Sequence, residues 1–273
     1  MIENPSIASD GLPARSTGVW VYDKKHYFER YLDIFSRGIG PKWAGKLCYV
    51  DLFAGPGRSI VRGSQEEVKG SPLVALDCEF SRYVFVDIPE VLAALESRLK
   101  THAKRSQATL IPGDCNTVIS EVLKQLPPDH LTLAFIDPTG LQIKFSTIQR
   151  LVHNRSVDLL MTIQLGMGIR LNLPQFTQTE GAALTDWLGN SDWRRDYDAG
   201  GSWSQIARRI VNRYLAQIRD LGYRTVQDRE IEVRTDETNL LLYFMVLASR
   251  HPRGEDFWRK ATQIGPSGQR RLI

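Results

Sequence analysis

Apolar and polar residues alternate along this chain in two distinct rhythms. Near the start, Tyr27, Tyr31, Leu32, Ile34 and Phe35 recur at helical spacing, and Gly38-Ile39-Gly40-Pro41 ends the run. The next stretches switch between short apolar runs and helical periodicity. Strands are predicted over 47–53, 83–87, 108–111, 131–136 and 157–164, with helices over 71–78, 89–100, 116–126 and 145–152. The helix over 89–100 carries Val91, Leu92, Leu95 and Leu99 on one face. Regular strand-helix alternation implies right-handed crossovers and a parallel sheet with helices on both faces.

Beyond Gln164 the rhythm breaks. A polar stretch over 166–201 reads as an insertion or lobe with one short helix over 182–188. A longer helix over 202–221 presents Ile206, Ile210, Tyr214 and Ile218 on one face. Two β segments near 223–233 and 240–248 follow, and a last helix over 255–261. The expected organisation is a flexible arm over 1–16, one α/β domain over 17–264 and a flexible basic tail over 265–273.

Composition narrows the class. At 273 residues and 42% hydrophobic content the chain can bury a sizeable core, and Lys+Arg of 35 against Asp+Glu of 31 leaves a net charge of +4. That balance is compatible with a nucleic-acid substrate without demanding one. Cys48, Cys78 and Cys115 have no metal-ligand or disulfide spacing, so reduced thiols and no metal site are expected. No stretch has the length and apolarity of a membrane span or signal peptide, so a cytoplasmic protein with no membrane contact is expected.

The run Tyr49-Val50-Asp51-Leu52-Phe53-Ala54-Gly55-Pro56-Gly57-Arg58 ends a strand in a carboxylate and a glycine-spaced turn, where backbone can lie directly against a nucleotide-like ligand. A dinucleotide fold needs a third glycine, absent here, and no phosphate-loop motif occurs. The pattern resembles the first loop of class I S-adenosylmethionine-dependent methyltransferases, whose cofactor is cationic and suits a neighbouring carboxylate. Each of the first four strands ends in such a group: Asp51, Asp87, Gly113-Asp114-Cys115-Asn116 and Asp137-Pro138-Thr139-Gly140. A single strand-terminal aspartate is more often a turn or cap residue. Four at successive strand ends suggest one crevice.

Asp87, followed by Ile88, suits the ribose hydroxyls. Asp114, Cys115 and Asn116 suit the adenine, and Asp51, Phe53, Ala54, Gly55 and Gly57 suit the amino-acid end. Asp137 and Pro138 are the candidate catalytic turn, orienting an amine through a carboxylate and a carbonyl. Thr139 and Gly140 replace the second proline and the aromatic of the usual amine-methylating turn, which brings it closer to the Asp-Pro-Phe-Gly turn of some guanine-N2 tRNA methyltransferases. Lys25, Arg58, Thr139, Gly140, Arg250 and His251 are candidate substrate residues, with Arg62 and Arg253 extending an anion-binding groove.

Together with Trp20, Gly70-Ser71-Pro72-Leu73, Phe85-Val86-Asp87, Phe135-Ile136-Asp137-Pro138-Thr139-Gly140-Leu141 and Ala248-Ser249-Arg250-His251-Pro252-Arg253-Gly254, these motifs resemble the three-Cys-motif partner protein family (TcmP). The resemblance spans most of the chain. It implies a Rossmann-like class I methyltransferase fold with a mostly parallel seven-stranded sheet, S-adenosyl-L-methionine as cofactor, a bacterial source and a three-Cys-motif protein as partner. Two functions follow: methylation of a nucleic-acid base amine, or a cofactor-binding regulatory subunit without transfer of its own. A nicotinamide oxidoreductase is disfavoured by the missing glycine.

Overall fold

The computed structural model describes residues 6–178, 183–225, 231–234 and 241–269. Two short strands, β1 (Ser6–Ile7) and β2 (Pro13–Thr17), precede helix α1 (Val21–Ile39). There follow β3 (Leu47–Asp51), β4 (Arg58–Val61), β5 (Glu67–Lys69), α2 (Ser71–Leu76), β6 (Arg82–Asp87), α3 (Pro89–Leu99), β7 (Ala108–Pro112) and α4 (Cys115–Gln125). The alternation continues through β8 (Leu131–Ile136), α5 (Phe145–Val152) and β9 (Ser156–Ile163). A π-helical turn over Leu165–Arg170 leads to α6 (Leu173–Phe176), α7 (Ala183–Leu188), α8 (Trp193–Asp198) and α9 (Trp203–Asp220). The chain closes with β10 (Arg224–Thr225), β11 (Ile231–Arg234), β12 (Leu241–Ser249) and α10 (Pro252–Thr262).

The large sheet runs β7-β6-β3-β8-β9-β12, and β10 and β11 share the outer edge of β12. All pairings from β7 to β9 are parallel, and β12 runs antiparallel to β9. The alternating pattern of β3 explains the two layers. Cys48 and Val50 face α4, α5 and α9, while Leu47 and Tyr49 face α1, α2 and α10. The second face is aromatic, with Phe28 of α1 4.4 Å from Phe135 and Tyr31 edge-on to Trp258 at 5.5 Å. Each such ring contributes roughly 1.5–3 kcal/mol by burial.

The predicted strands and helices of the first half are present, within a few residues at their ends. Several regions differ. Residues 6–17, expected as a loose arm, carry β1 and β2, and the polar stretch over 59–69 folds into β4 and β5; together they form a second, four-stranded sheet ordered β1-β2-β4-β5. Its small apolar surface comes from Ala8, Ala14, Ile60, Val61 and Val68. Arg98 fastens it: the guanidinium, 4% exposed, donates to both oxygens of Asp10 and to the carbonyls of Leu12, Pro13 and Pro56. This one side chain therefore joins α3, the second sheet and the glycine loop. Such local polar sequence forms strands because a partner elsewhere in the chain supplies the hydrogen bonds.

Within 166–201 the structure has the predicted short helix and also α6 and α8, each too brief to show periodicity. Helix α10 starts three residues before the predicted position, because His251 Nδ1 accepts the Arg253 amide and Pro252 occupies the first turn. The expected tail is a tight turn over 265–269, where the Gly265 amide donates to the Gln269 carbonyl; residues 270–273 lie outside the described residues, as do 226–230 of the predicted β segment.

Candidate functional site

Strand register builds the site. Asp51 lies opposite Phe85 and Phe135, and Asp87 opposite Pro112. Two residues beyond Asp51 on the neighbouring strands come Asp87 and Asp137, so these two share a level with Phe53, and Asp114 stands one pleat further out. The chain order reverses between β3 and β8, the point at which open α/β sheets form a ligand crevice.

Asp51 sits one pleat deeper, and this alters its role. It is fully buried; its carboxylate accepts the Tyr49 hydroxyl at 3.1 Å and the Phe53 amide at 3.1 Å. Burial pushes it up to about 7, against the opposing effect of the Ser71 hydroxyl. Asp51 thus holds the glycine turn from beneath, one pleat below the level of the crevice. Above it, Gly55 and Gly57 have φ of 67° and 91°, conformations that L side chains resist. Gly70 packs against Gly57 so closely that a Cβ would meet its carbonyl carbon at 3.0 Å, and its amide donates to the Gly57 carbonyl. The Gly70-Ser71-Pro72 motif is therefore the other half of the glycine loop.

Asp87 accepts the Gly55 amide at 2.7 Å and the Ile88 amide at 2.8 Å, so it couples two strand ends. Ile88 beside it is 49% exposed, an apolar surface at the mouth of the crevice. Asp114 caps α4 through the Asn116 amide. Asn116 itself is a bridge: its Nδ2 donates to Asp114 and to the Gln142 carbonyl, and its Oδ1 accepts from the Lys144 amide and Thr147 hydroxyl. These bonds commit the side chain to fixing the loop after Gly140. Cys115 is buried and its thiol is pushed up to about 12 by burial, so it acts as packing. Thr139 and Gly140 lie in a turn closed by the Gln142 side chain.

Asp137 is the focus of the pocket. It is 8% exposed, and burial alone pushes a carboxylate upward. The Lys24 ammonium at 2.6 Å, the Thr162 hydroxyl at 2.7 Å and the charge of Arg15 outweigh that and hold it below its ordinary value. The Pro138 carbonyl accepts from Gln164 Nε2 at 2.8 Å. A pocket over this turn is lined by Lys24, Phe28, Phe135, Asp137, the 53–59 loop and Arg15.

Lys24, Thr162 and Gln164 were not among the predicted residues. Lys24 had a legible signal, because Val21, Lys24, Phe28, Tyr31 and Phe35 form one helical stripe, and a lysine in it points inward. Thr162 and Gln164 had none, since their relevance comes from β9 lying beside β8. Lys25 lines the pocket but pairs with Glu29 at 2.6 Å. Arg58 lines it and pairs with Glu67.

Arg250 and His251 do not join them. Arg250 and His251 follow β12, which runs antiparallel, so they emerge at the opposite end of the sheet. Arg250 donates to the carbonyls of Arg155, Val152 and Leu221 and stacks 4.6 Å from the Tyr223 ring. His251 caps α10. The predicted groove uniting Arg250, His251 and Arg253 with Arg58 and Arg62 is thus corrected by strand direction. Among the described residues no group of three or more His, Cys, Asp or Glu could hold a metal ion, and no helix is long and apolar enough to cross a membrane.

No protein-family model matches the sequence, and neither does any curated protein. Solved structures share the architecture. A Legionella pneumophila protein, LPL1258, with the family model DUF519, is 11% identical over 92% of this chain and 94% of its own, at a TM-score of 0.54. A putative methyltransferase from Thermobifida fusca is 14% identical over 84% of this chain and 80% of its own, at 0.45. A precorrin-6y C5,15-methyltransferase from Geobacter metallireducens is 12% identical over 92% and 96%, at 0.43. The likeness is one of fold. The chain has a Rossmann-like α/β fold, with five parallel strands, an antiparallel β12 and a shared outer edge.

Proposed function

We propose that this protein is an S-adenosylmethionine-dependent methyltransferase that acts on an amine of a nucleic-acid base. One observation carries the reading: a buried carboxylate, Asp137, is kept ionised at the strand-order reversal, in the pocket that also contains the glycine loop.

The residues fit the cofactor. Gly55 has open space where a Cβ would be, the neighbouring Asp87 carboxylate stands at a strand end, and exposed Ile88 offers an apolar rest for a purine ring. Gly55, Gly57, Asp87, Ile88 and Asp114 would hold S-adenosylmethionine. When bound, it supplies an electrophilic methyl group. The chain then has to position an acceptor. An ionised Asp137 accepts a hydrogen bond from an amine and turns its lone pair toward the pocket; the same carboxylate can receive the proton that the amine sheds. Lys24 keeps that carboxylate ionised and yields part of it to the incoming amine. The basic balance of the chain and the cations around the pocket support a nucleic-acid acceptor.

A second reading has one observation in its favour. Both Asp137 oxygens and the Pro138 carbonyl already have protein donors in Lys24, Thr162 and Gln164. A cofactor-binding subunit that works through a three-Cys-motif partner would tolerate such a closed turn. Calorimetry with S-adenosylmethionine tests the shared premise, and absence of binding by the folded protein sinks both. A labelled-methyl assay on total RNA and DNA, with and without the partner, separates them: incorporation supports the enzyme, and cofactor binding without transfer in any combination supports the regulatory subunit.

A further inference from the structure

Five cations line the pocket over Asp137: Arg15, Lys24, Lys25, Arg58 and Lys69. Four are matched by carboxylates. Lys24 pairs with Asp137, Lys25 with Glu29, Arg58 with Glu67 and Asp10, and Lys69 with Asp77. Arg15 differs. It lies half-buried in β2, has no hydrogen-bond or ion-pair partner among the described residues, and its charge reaches Asp137.

Arg15 pairs in register with Ser59, and both line the pocket with Thr17 from one face of the second sheet. A half-buried guanidinium without an acceptor has lost hydration and gained nothing in return. The planar fork is shaped for a carboxylate or phosphate, which it binds through two parallel hydrogen bonds. Asp137, the carboxylate lining the same pocket, is already offset by Lys24 and does not oppose a second anion.

We infer that Arg15 forms an anion-binding subsite on the second sheet, beside the glycine loop, that takes one carboxylate or phosphate group. The source of the anion rests on the methyltransferase reading: it is the carboxylate of S-adenosylmethionine or a phosphate of the acceptor nucleic acid. The arm expected as loose would then be part of the binding machinery, and Arg98 the residue that holds it in place.

Calorimetry on Arg15→Gln and Arg15→Lys separates the sources with three probes: S-adenosylmethionine, its decarboxylated form and a short single-stranded oligonucleotide. A carboxylate source predicts that Arg15→Gln loses tenfold or more in affinity for S-adenosylmethionine and less than twofold for the decarboxylated form. A phosphate source predicts unchanged cofactor affinity, weaker oligonucleotide binding and a shallower salt dependence. Arg15→Lys recovers only part of either loss, because it keeps the charge and not the fork. If Arg15→Gln binds all three probes like the wild type, the inference is wrong. If the wild type itself binds no S-adenosylmethionine, the methyltransferase reading fails instead, and the oligonucleotide arm alone decides the subsite. Thermal unfolding of each variant confirms that it is folded, and Arg15→Lys reads the same arms should the glutamine variant not fold.

Discussion

Asp137 and Asp158 are buried carboxylates on adjacent strands, one just past the end of β8 and one near the start of β9, at opposite ends of the same sheet. Asp137 is held below its ordinary value because Lys24 touches it. Among the described residues Asp158 has no cation in contact, and it is pushed up to about 7 by burial, though the Ser249 hydroxyl and the charge and backbone amide of Arg250 act against that. At this second end the Arg250 guanidinium is spent on backbone carbonyls and the Tyr223 ring. Burial alone therefore does not fix the charge of a carboxylate. The cation at one end holds its aspartate down, and the other end uses its aspartate to hold the turn into α10.

The largest expected effect breaks the first end. Asp137→Ala should lower kcat for methyl transfer by about 10²–10³-fold, as removal of an orienting group in an active site does. S-adenosylmethionine affinity should stay within a few fold, measured by calorimetry beside a labelled-methyl assay; equal transfer by the variant would remove Asp137 from the chemistry. Next, Arg98→Ala strips buried carbonyls and Asp10 of their donor. It should destabilise the protein by about 3 kcal/mol in denaturant titrations and weaken cofactor binding through the Pro56 carbonyl.

At the second end, Asp158→Asn should act on stability and not on transfer. With its folded value raised to about 7 from 3.8, the native state retains a proton that the unfolded chain releases. Its contribution is full below about pH 4 and is lost as pH rises through 7. The variant should flatten that decline and be more stable at pH 8 by roughly 2 kcal/mol; an unchanged pH profile would show that folding does not raise Asp158 above its ordinary value. The smallest effect belongs to His251→Ala, which removes a helix cap worth about 1 kcal/mol and leaves transfer unchanged. A loss of transfer would restore His251 to the site.

The same comparison shows where sequence reading succeeds. Strands β3 and β6 to β9 and the helices between them were legible because each buries its own apolar face with a period that the local sequence displays. Lys24 was legible too, as a lysine inside the apolar stripe of α1. The second sheet was not, since residues 6–17 and 58–69 become strands by pairing with each other across some 45 residues. No local pattern records such a pairing.

For the site, the amino-acid sequence by itself determined the glycine turn and the strand-terminal aspartates, because backbone freedom at glycine and carboxylates at strand ends are local properties. Tertiary structure decided which aspartate is ionised, which asparagine is spent on a loop, and which end of the sheet each arginine joins. Those outcomes depend on strand direction and on charges brought close by folding, and electrostatic fields act through space without regard to position along the chain.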